Sequence, residues 1–301
     1  MIIENHTKSS QSRLVTRHTK NLFYGIFISL PLGLALPAAA LQVQLSPSNP
    51  QLGDTLSVMI DVTQENNQQP TVVVGEKTYP AFAVAPNKYR AFIPTTPLEP
   101  AGNRTLKIAG DGQVKNLTVK LRSRKFPIQR ITLPPGKSAD GATEHELKRV
   151  AAFKALQTPE KYWDGKFLAP SKARISTIYG VRRYYNGKFA KDYYHRGVDY
   201  AGAAGSPVTA PASGRVALVG TVSQGFRVHG NVVGIDHGQG VTSILLHLSR
   251  INVKEGDFVK AGQLIGAVGS TGASTGPHLH WGLYVNGQSV DPVPWRTQIF
   301  Q

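Results

Sequence analysis

Six of the nine histidines fall between positions 195 and 280, and two of them, His278 and His280, are separated by a single residue. On an extended strand, residues i and i+2 share a face. The two imidazoles therefore project together, while Leu279 turns the other way into packing. Gly276-Pro277 reads as the turn that delivers the chain into that strand. Upstream, His195-Arg196-Gly197-Val198-Asp199 offers a neutral imidazole and a carboxylate, two ligand types that zinc accepts. The chain has no cysteine, so disulfides and thiolate sites are excluded and any zinc site is built from His, Asp or Glu. His280 would complete three protein ligands with His195 and Asp199 and leave a fourth position open, the pattern of a catalytic zinc. Gly197 and the run Ala201-Gly202-Ala203-Ala204-Gly205 argue against a helix here. In an extended segment His195 and Asp199 would lie about 13 Å apart, so Gly197 has to help bend the chain.

These residues need a scaffold. Glycine-punctuated runs at 214–219, 231–236, 242–248 and 253–266 read as strands joined by turns. They predict an antiparallel β-domain over 165–301 with almost no helix. His247 sits at the end of one such run; alone it would pass for a core histidine. His237 lies at a turn and reads as a structural hydrogen-bonding residue, and His229 lies in a loop, where it is expected to be solvated. The turn at Glu255-Gly256-Asp257 has the look of a carrier-domain hairpin but lacks the lysine at its tip, so it reads as plain hairpin structure.

Residues 41–122 alternate in short apolar runs separated by polar turns, which predicts a small β-sandwich of immunoglobulin-like type. The segment 123–164 reads as a linker with one helix. Thr143 and Glu146 form a capping box, and Leu147, Val150, Phe153 and Leu156 make a one-sided stripe over about 144–157. Residues 1–40 have a basic start, an apolar run over 22–36 and Pro37-Ala38-Ala39-Ala40, the pattern of a secretory signal peptide cleaved after Ala40. The run is short for a span and Pro31 interrupts it, so no stable membrane span is expected after cleavage. The expected fold class is mainly β: sandwich, short helical linker and antiparallel C-terminal domain.

Taken together, His195-x-x-x-Asp199, His247-Leu248-Ser249, the run 266–272 and His278-Leu279-His280 resemble the zinc endopeptidases of the LytM/lysostaphin type, peptidase family M23. The resemblance covers about 165–296. It implies that His195, Asp199 and His280 are the metal ligands, that His278 and His247 are the two catalytic histidines outside the ligand set, and that Zn2+ is the cofactor. It also implies a substrate, the peptide bonds of bacterial peptidoglycan. One of His247 and His278 would act as general base and the other would stabilise the oxyanion, with Tyr193 or Tyr194 as a further candidate.

The formal net charge of +16 predicts attraction to a polyanion. Export to the periplasm or the extracellular envelope sets nucleic acid aside and leaves an acidic wall polymer. The alternative function, a non-catalytic wall-binding regulator of another hydrolase, would be expected to lack metal ligands, and every expected ligand is present.

Overall fold

The structure, a computed structural model, describes residues 41–63, 69–132 and 141–300. The expected export signal at 1–40 lies outside the described residues. Eight strands come first: β1 (Gln42–Ser46), β2 (Thr55–Asp61), β3 (Thr71–Val74), β4 (Lys77–Pro80), β5 (Phe82–Ala85), β6 (Lys88–Pro94), β7 (Gly102–Gly110) and β8 (Gln113–Leu121). They form two antiparallel four-stranded sheets, ordered β1-β2-β6-β5 and β4-β3-β7-β8. Leu56, Val58 and Ile60 alternate along β2 and meet Val72, Leu106 and Ile108 of the other sheet in one buried cluster. The period-2 pattern places these residues on a common face.

Strand β6 buries both faces. Ala91 and Ile93 point into the sandwich core. Arg90 and Phe92 point the other way, against Trp163, Trp295 and Phe300. Phe92 lies 5.4 Å from Trp295 between ring centroids and 5.7 Å from Phe300. Arg90 is fully buried, donates to the carbonyl of Phe300 and to Oε1 of Gln239, and covers the ring of Phe92 at 4.5 Å. Burial lowers its pKa to about 10, so it stays cationic at neutral pH.

The connecting segment is built into the C-terminal half. Strand β9 (Ile128–Ile131) precedes helix α1 (Glu144–Lys154). Thr143 caps the helix by accepting from the backbone N–H of Glu146, and Glu146 accepts in return from that of Thr143. After it come β10 (Ile175–Thr177), β11 (Arg182–Tyr185), β12 (Lys188–Phe189), β13 (Val198–Tyr200), β14 (Pro207–Thr209), β15 (Gly214–Gly220) and β16 (Val232–Gly238). The remainder is β17 (Val241–Leu246), β18 (Arg250–Ile251), β19 (Phe258–Val259), β20 (Leu264–Ala267), β21 (Leu279–Val285), β22 (Gln288–Val290) and the short α2 (Pro292–Trp295). The chain is mainly β, 45% strand against 7% helix. Strand β9 pairs in parallel with β11, in the order β12-β11-β9.

The principal sheet runs β10-β13-β21-β17-β16-β15-β19, with β22 beside β21. Val150 and Phe153 of α1 pack on it with Leu218, Ile244, Leu246 and Tyr284. Gly234 permits this approach, because a Cβ there would lie 2.7 Å from the Phe153 ring. Among the described residues no helix is long and apolar enough to cross a membrane.

His237 sits wholly inside this sheet. Its Nδ1–H donates to the Ser213 carbonyl and its Nε2 faces the Ser243 hydroxyl, 2.9 Å each. Burial lowers its pKa to about 4, against an unfolded value near 6.5. The unfolded chain therefore binds the extra proton first, and the stabilisation present above pH 6.5 is lost as the pH falls toward 4. The expected loss is ~3 kcal/mol from this group. Denaturant melts at pH 7, 5.5 and 4 of the wild type and of His237→Gln measure it: the variant should show a shallower loss.

Candidate metal centre

Strand β21 lies between β13 and β17, with His280 opposite Asp199 on one side and Leu246 on the other. That register sets Asp199 and His280 side by side. His195 comes in from the loop ahead of β13, where its N–H bonds to the Val181 carbonyl. Nε2 of His195 and Nδ1 of His280 lie 3.0 and 2.9 Å from Oδ1 of Asp199 and 3.1 Å from each other. All three residues are buried.

Gly197 makes the junction possible by giving room. A Cβ there would stand 2.3 Å from the Trp281 carbonyl oxygen and 2.8 Å from Nε2 of His280. It is absent from the residues with positive φ. The expected bend is thus achieved by close approach to β21 and not by a left-handed glycine.

The donor chemistry calls for a cation. The His195 Nδ1 is 2.9 Å from the Ile178 carbonyl, which can only accept, so that nitrogen carries the proton. In the neutral ring Nε2 is then bare, and it faces a carboxylate oxygen and a second imidazole nitrogen. Two lone pairs thus face each other, and His280 Nδ1 adds a third when its ring is neutral with the proton on Nε2. In a four-coordinate zinc site with bonds near 2.0 Å, ligand atoms stand about 3.3 Å apart, close to the separations here. Burial raises the Asp199 pKa, but the imidazoles of His195 and His280 beside it outweigh this, and the carboxyl lies well below the usual range. Burial likewise lowers the His280 imidazole to about 4 despite Asp199 beside it. Both shifts favour the deprotonated forms that bind metal.

His278 and His247 stand next to this triangle. His278 precedes β21, bridges to Gly269, and brings Nε2 to 3.9 Å from Oδ1 of Asp199. Leu279 is buried in the core on the opposite side. The rings of His278 and His247 are 4.8 Å apart between centroids. His247 follows the end of β17 in a left-handed conformation, φ 65°, uncommon for a residue with a Cβ. Its Nδ1–H donates to the Thr271 carbonyl at 2.8 Å, and that of His278 to the Gly276 carbonyl at 2.9 Å. In its neutral form each ring therefore has a bare Nε2. Burial, reinforced by His280 and His278, lowers the His247 pKa to about 3.

The two tyrosine candidates separate. Tyr194 is buried and donates to the Ser289 carbonyl at 3.3 Å. Tyr193 accepts from Arg183 at 3.1 Å and bonds through its own O–H to Tyr185. Burial pushes its pKa up to about 12 even with Arg183 alongside, so the phenol stays protonated. His229 is not solvated as expected: its Nδ1 is 2.6 Å from Oε1 of Glu146. Sequence reading missed this pairing because the two residues are 83 positions apart.

The sequence profile of peptidase family M23 matches residues 193–292, so the chain carries a peptidase M23 domain. Peptidases of the family are zinc-dependent. Over 99 residues the chain is 46% identical to the DD-carboxypeptidase/endopeptidase Mpg of Neisseria meningitidis, covering 33% of this chain and 22% of the relative. Over 106 residues it is 45% identical to lysostaphin of Staphylococcus staphylolyticus, covering 34% and 22%. A solved structure from Pseudomonas aeruginosa, assigned to peptidase M23, is similar with TM-score 0.61 and 25% identity, covering 84% of this chain and 96% of that one. The chain thus spans less than a third of the length of the curated relatives it matches.

Proposed function

We propose that this protein is a zinc-dependent endopeptidase of the cell envelope that hydrolyses peptide bonds in peptidoglycan stems or cross-links. The observation that carries the reading is the convergence of three potential ligand atoms, His195 Nε2, Asp199 Oδ1 and His280 Nδ1, within 4.8 Å of one another. Support for the substrate comes from relatives. One is named a peptidoglycan DD-endopeptidase, ShyA of Vibrio cholerae, 38% identical over 128 residues. The basic surface suits an acidic wall polymer, and the signal-like residues 1–40 suit export.

His195, Asp199 and His280 would hold the zinc. Its contribution is Lewis acidity, which lowers the pKa of water and polarises a carbonyl. His247 and His278 do the proton work. Each donates Nδ1–H to a backbone carbonyl, so each presents an Nε2 lone pair able to take a proton from the attacking water. The ring that takes it becomes a donor and can pass it to the leaving amine nitrogen. Neither neutral ring can donate at Nε2. Oxyanion stabilisation by the second histidine therefore requires that ring to be protonated. Tyr193, whose protonated hydroxyl is held by Tyr185 and Arg183, is the alternative donor once that hydroxyl turns to the substrate.

Metal analysis of the purified chain, with chromatography of muropeptides from digested walls, tests the reading. One zinc per chain and new muropeptides released only with metal are expected. A metal-free active chain, or walls of several chemotypes left undigested, would overturn it.

A further inference from the structure

We propose that Glu146, on the connecting helix and outside the family-matched segment, is a positioning residue for His247, which it braces through the loop 226–231. The proposal rests on the reading of His247 as part of the hydrolytic site.

The Glu146 carboxylate is fully buried, yet among the described residues no lysine or arginine forms an ion pair with it. Besides the Thr143 N–H of the helix cap, it is satisfied by four donors of one loop. Oε2 accepts from the N–H of Arg227 at 3.0 Å, and Oε1 accepts from those of Val228 at 3.1 Å and His229 at 2.7 Å. The His229 ring adds a fourth donor through Nδ1. Burial raises the carboxyl pKa, but these bonds outweigh it and the net shift is downward, so the group is ionised at neutral pH. A carboxylate that holds three successive backbone N–H groups fixes the path of the chain there.

That path leads to His247. The N–H of His247 donates to the His229 carbonyl at 3.1 Å, and that of Leu248 to the Asn231 carbonyl at 3.0 Å. The Asn231 N–H donates to Oγ1 of Thr271 at 2.9 Å. Thr271 in turn supplies the carbonyl that receives the His247 Nδ1–H. Val228 reaches the same segment, its carbonyl accepting from the Ala273 N–H at 3.0 Å. The loop therefore holds both the backbone and the ring tautomer of His247. The left-handed backbone of His247 is a conformation that persists only when its surroundings impose it. Without Glu146 three amide donors lose their acceptor, the loop relaxes, and the imidazole is free to leave its position.

The test is Glu146→Gln in the full chain, which keeps the side-chain shape but sets an NH2 group against the loop donors. The expected result is zinc bound at wild-type stoichiometry, KM within about twofold, and kcat lower by about tenfold or more, the scale of a misplaced catalytic group. Hydrogen exchange at the His247 and Leu248 amides should become faster. Thr143→Ala, which removes the helix cap and the hydroxyl's bond to the Gly225 carbonyl but leaves the Glu146 carboxylate on its loop donors, should lower Tm and leave kcat within about twofold. An unchanged kcat or unchanged exchange in Glu146→Gln would overturn the proposal. If that variant does not fold, Glu146→Asp, which keeps the charge but withdraws the carboxyl, carries the same readouts. Failure of both to fold would make Glu146 a structural residue and also overturn the proposal. If the wild type itself hydrolyses no wall, the functional reading falls, while the exchange rates still decide whether the brace exists.

Discussion

His280→Ala is expected to strip the metal from the chain and abolish hydrolysis while leaving the β-core folded. The ring supplies one of three donor atoms that lie 2.9 to 3.1 Å apart, and the remaining pair, His195 and Asp199, cannot hold zinc against competing buffer ligands. Activity should fall by about 10⁴-fold or more, on the order of losing a whole catalytic constellation. The scaffold should survive because His280 points away from the core that its neighbours Leu279 and Trp281 fill. Comparing the variant with chelator-treated wild type isolates the fold from the metal's own stabilisation. Their melting temperatures should agree within a few degrees. Retention of one zinc per chain by the variant would show that His280 is not a ligand.

Phe92→Ala should produce the largest loss of stability. Its ring is almost wholly buried and packs on Trp163, Trp295 and Phe300, all from beyond the sandwich. Truncation removes that surface and leaves a void between aromatic rings too rigid to collapse into it. The cost should be ~3–5 kcal/mol, a fall in Tm of about 10 °C for a chain of this size. Phe92→Leu, which refills most of the volume, should cost about 1–1.5 kcal/mol. Calorimetry of the two variants measures both values. A change of under about 1 kcal/mol in Phe92→Ala would mean that the sandwich and the rest of the chain are not coupled through this residue.

The pairing of His278 with His280 was readable because strand periodicity is local: a period of two puts them on one side, as found, whereas His195 and Asp199 joined them through their ligand chemistry and the family resemblance. The β character was readable from alternation such as Leu56, Val58, Ile60. What escaped depends on partners distant in the chain. Glu146 looks complete as half of a capping box with Thr143; its other donors lie more than 80 positions on. His229 looked like a loop residue for the same reason. Gly197 was read as a bend, because spacing cannot show that β21 passes within a Cβ radius. The left-handed backbone of His247 carries no signal in a single sequence, since nothing there is glycine. Strand β9 was hidden because four residues in a Pro-bounded segment acquire strand geometry only from β11.

The pairing of β9 with β11 and the packing of α1 also have a consequence for how the protein stays in solution. A shortened version starting at residue 165 would keep every candidate metal ligand. It would also uncover one bare strand edge at 182–185 and the apolar side chains Leu218, Ile244, Leu246 and Tyr284 that α1 now roofs. A bare edge is a template for a second chain, and an uncovered apolar patch is an adhesive one. Strand β9 and helix α1 thus act as a shield against self-association, so the smallest well-behaved fragment is longer than the smallest one holding the chemistry.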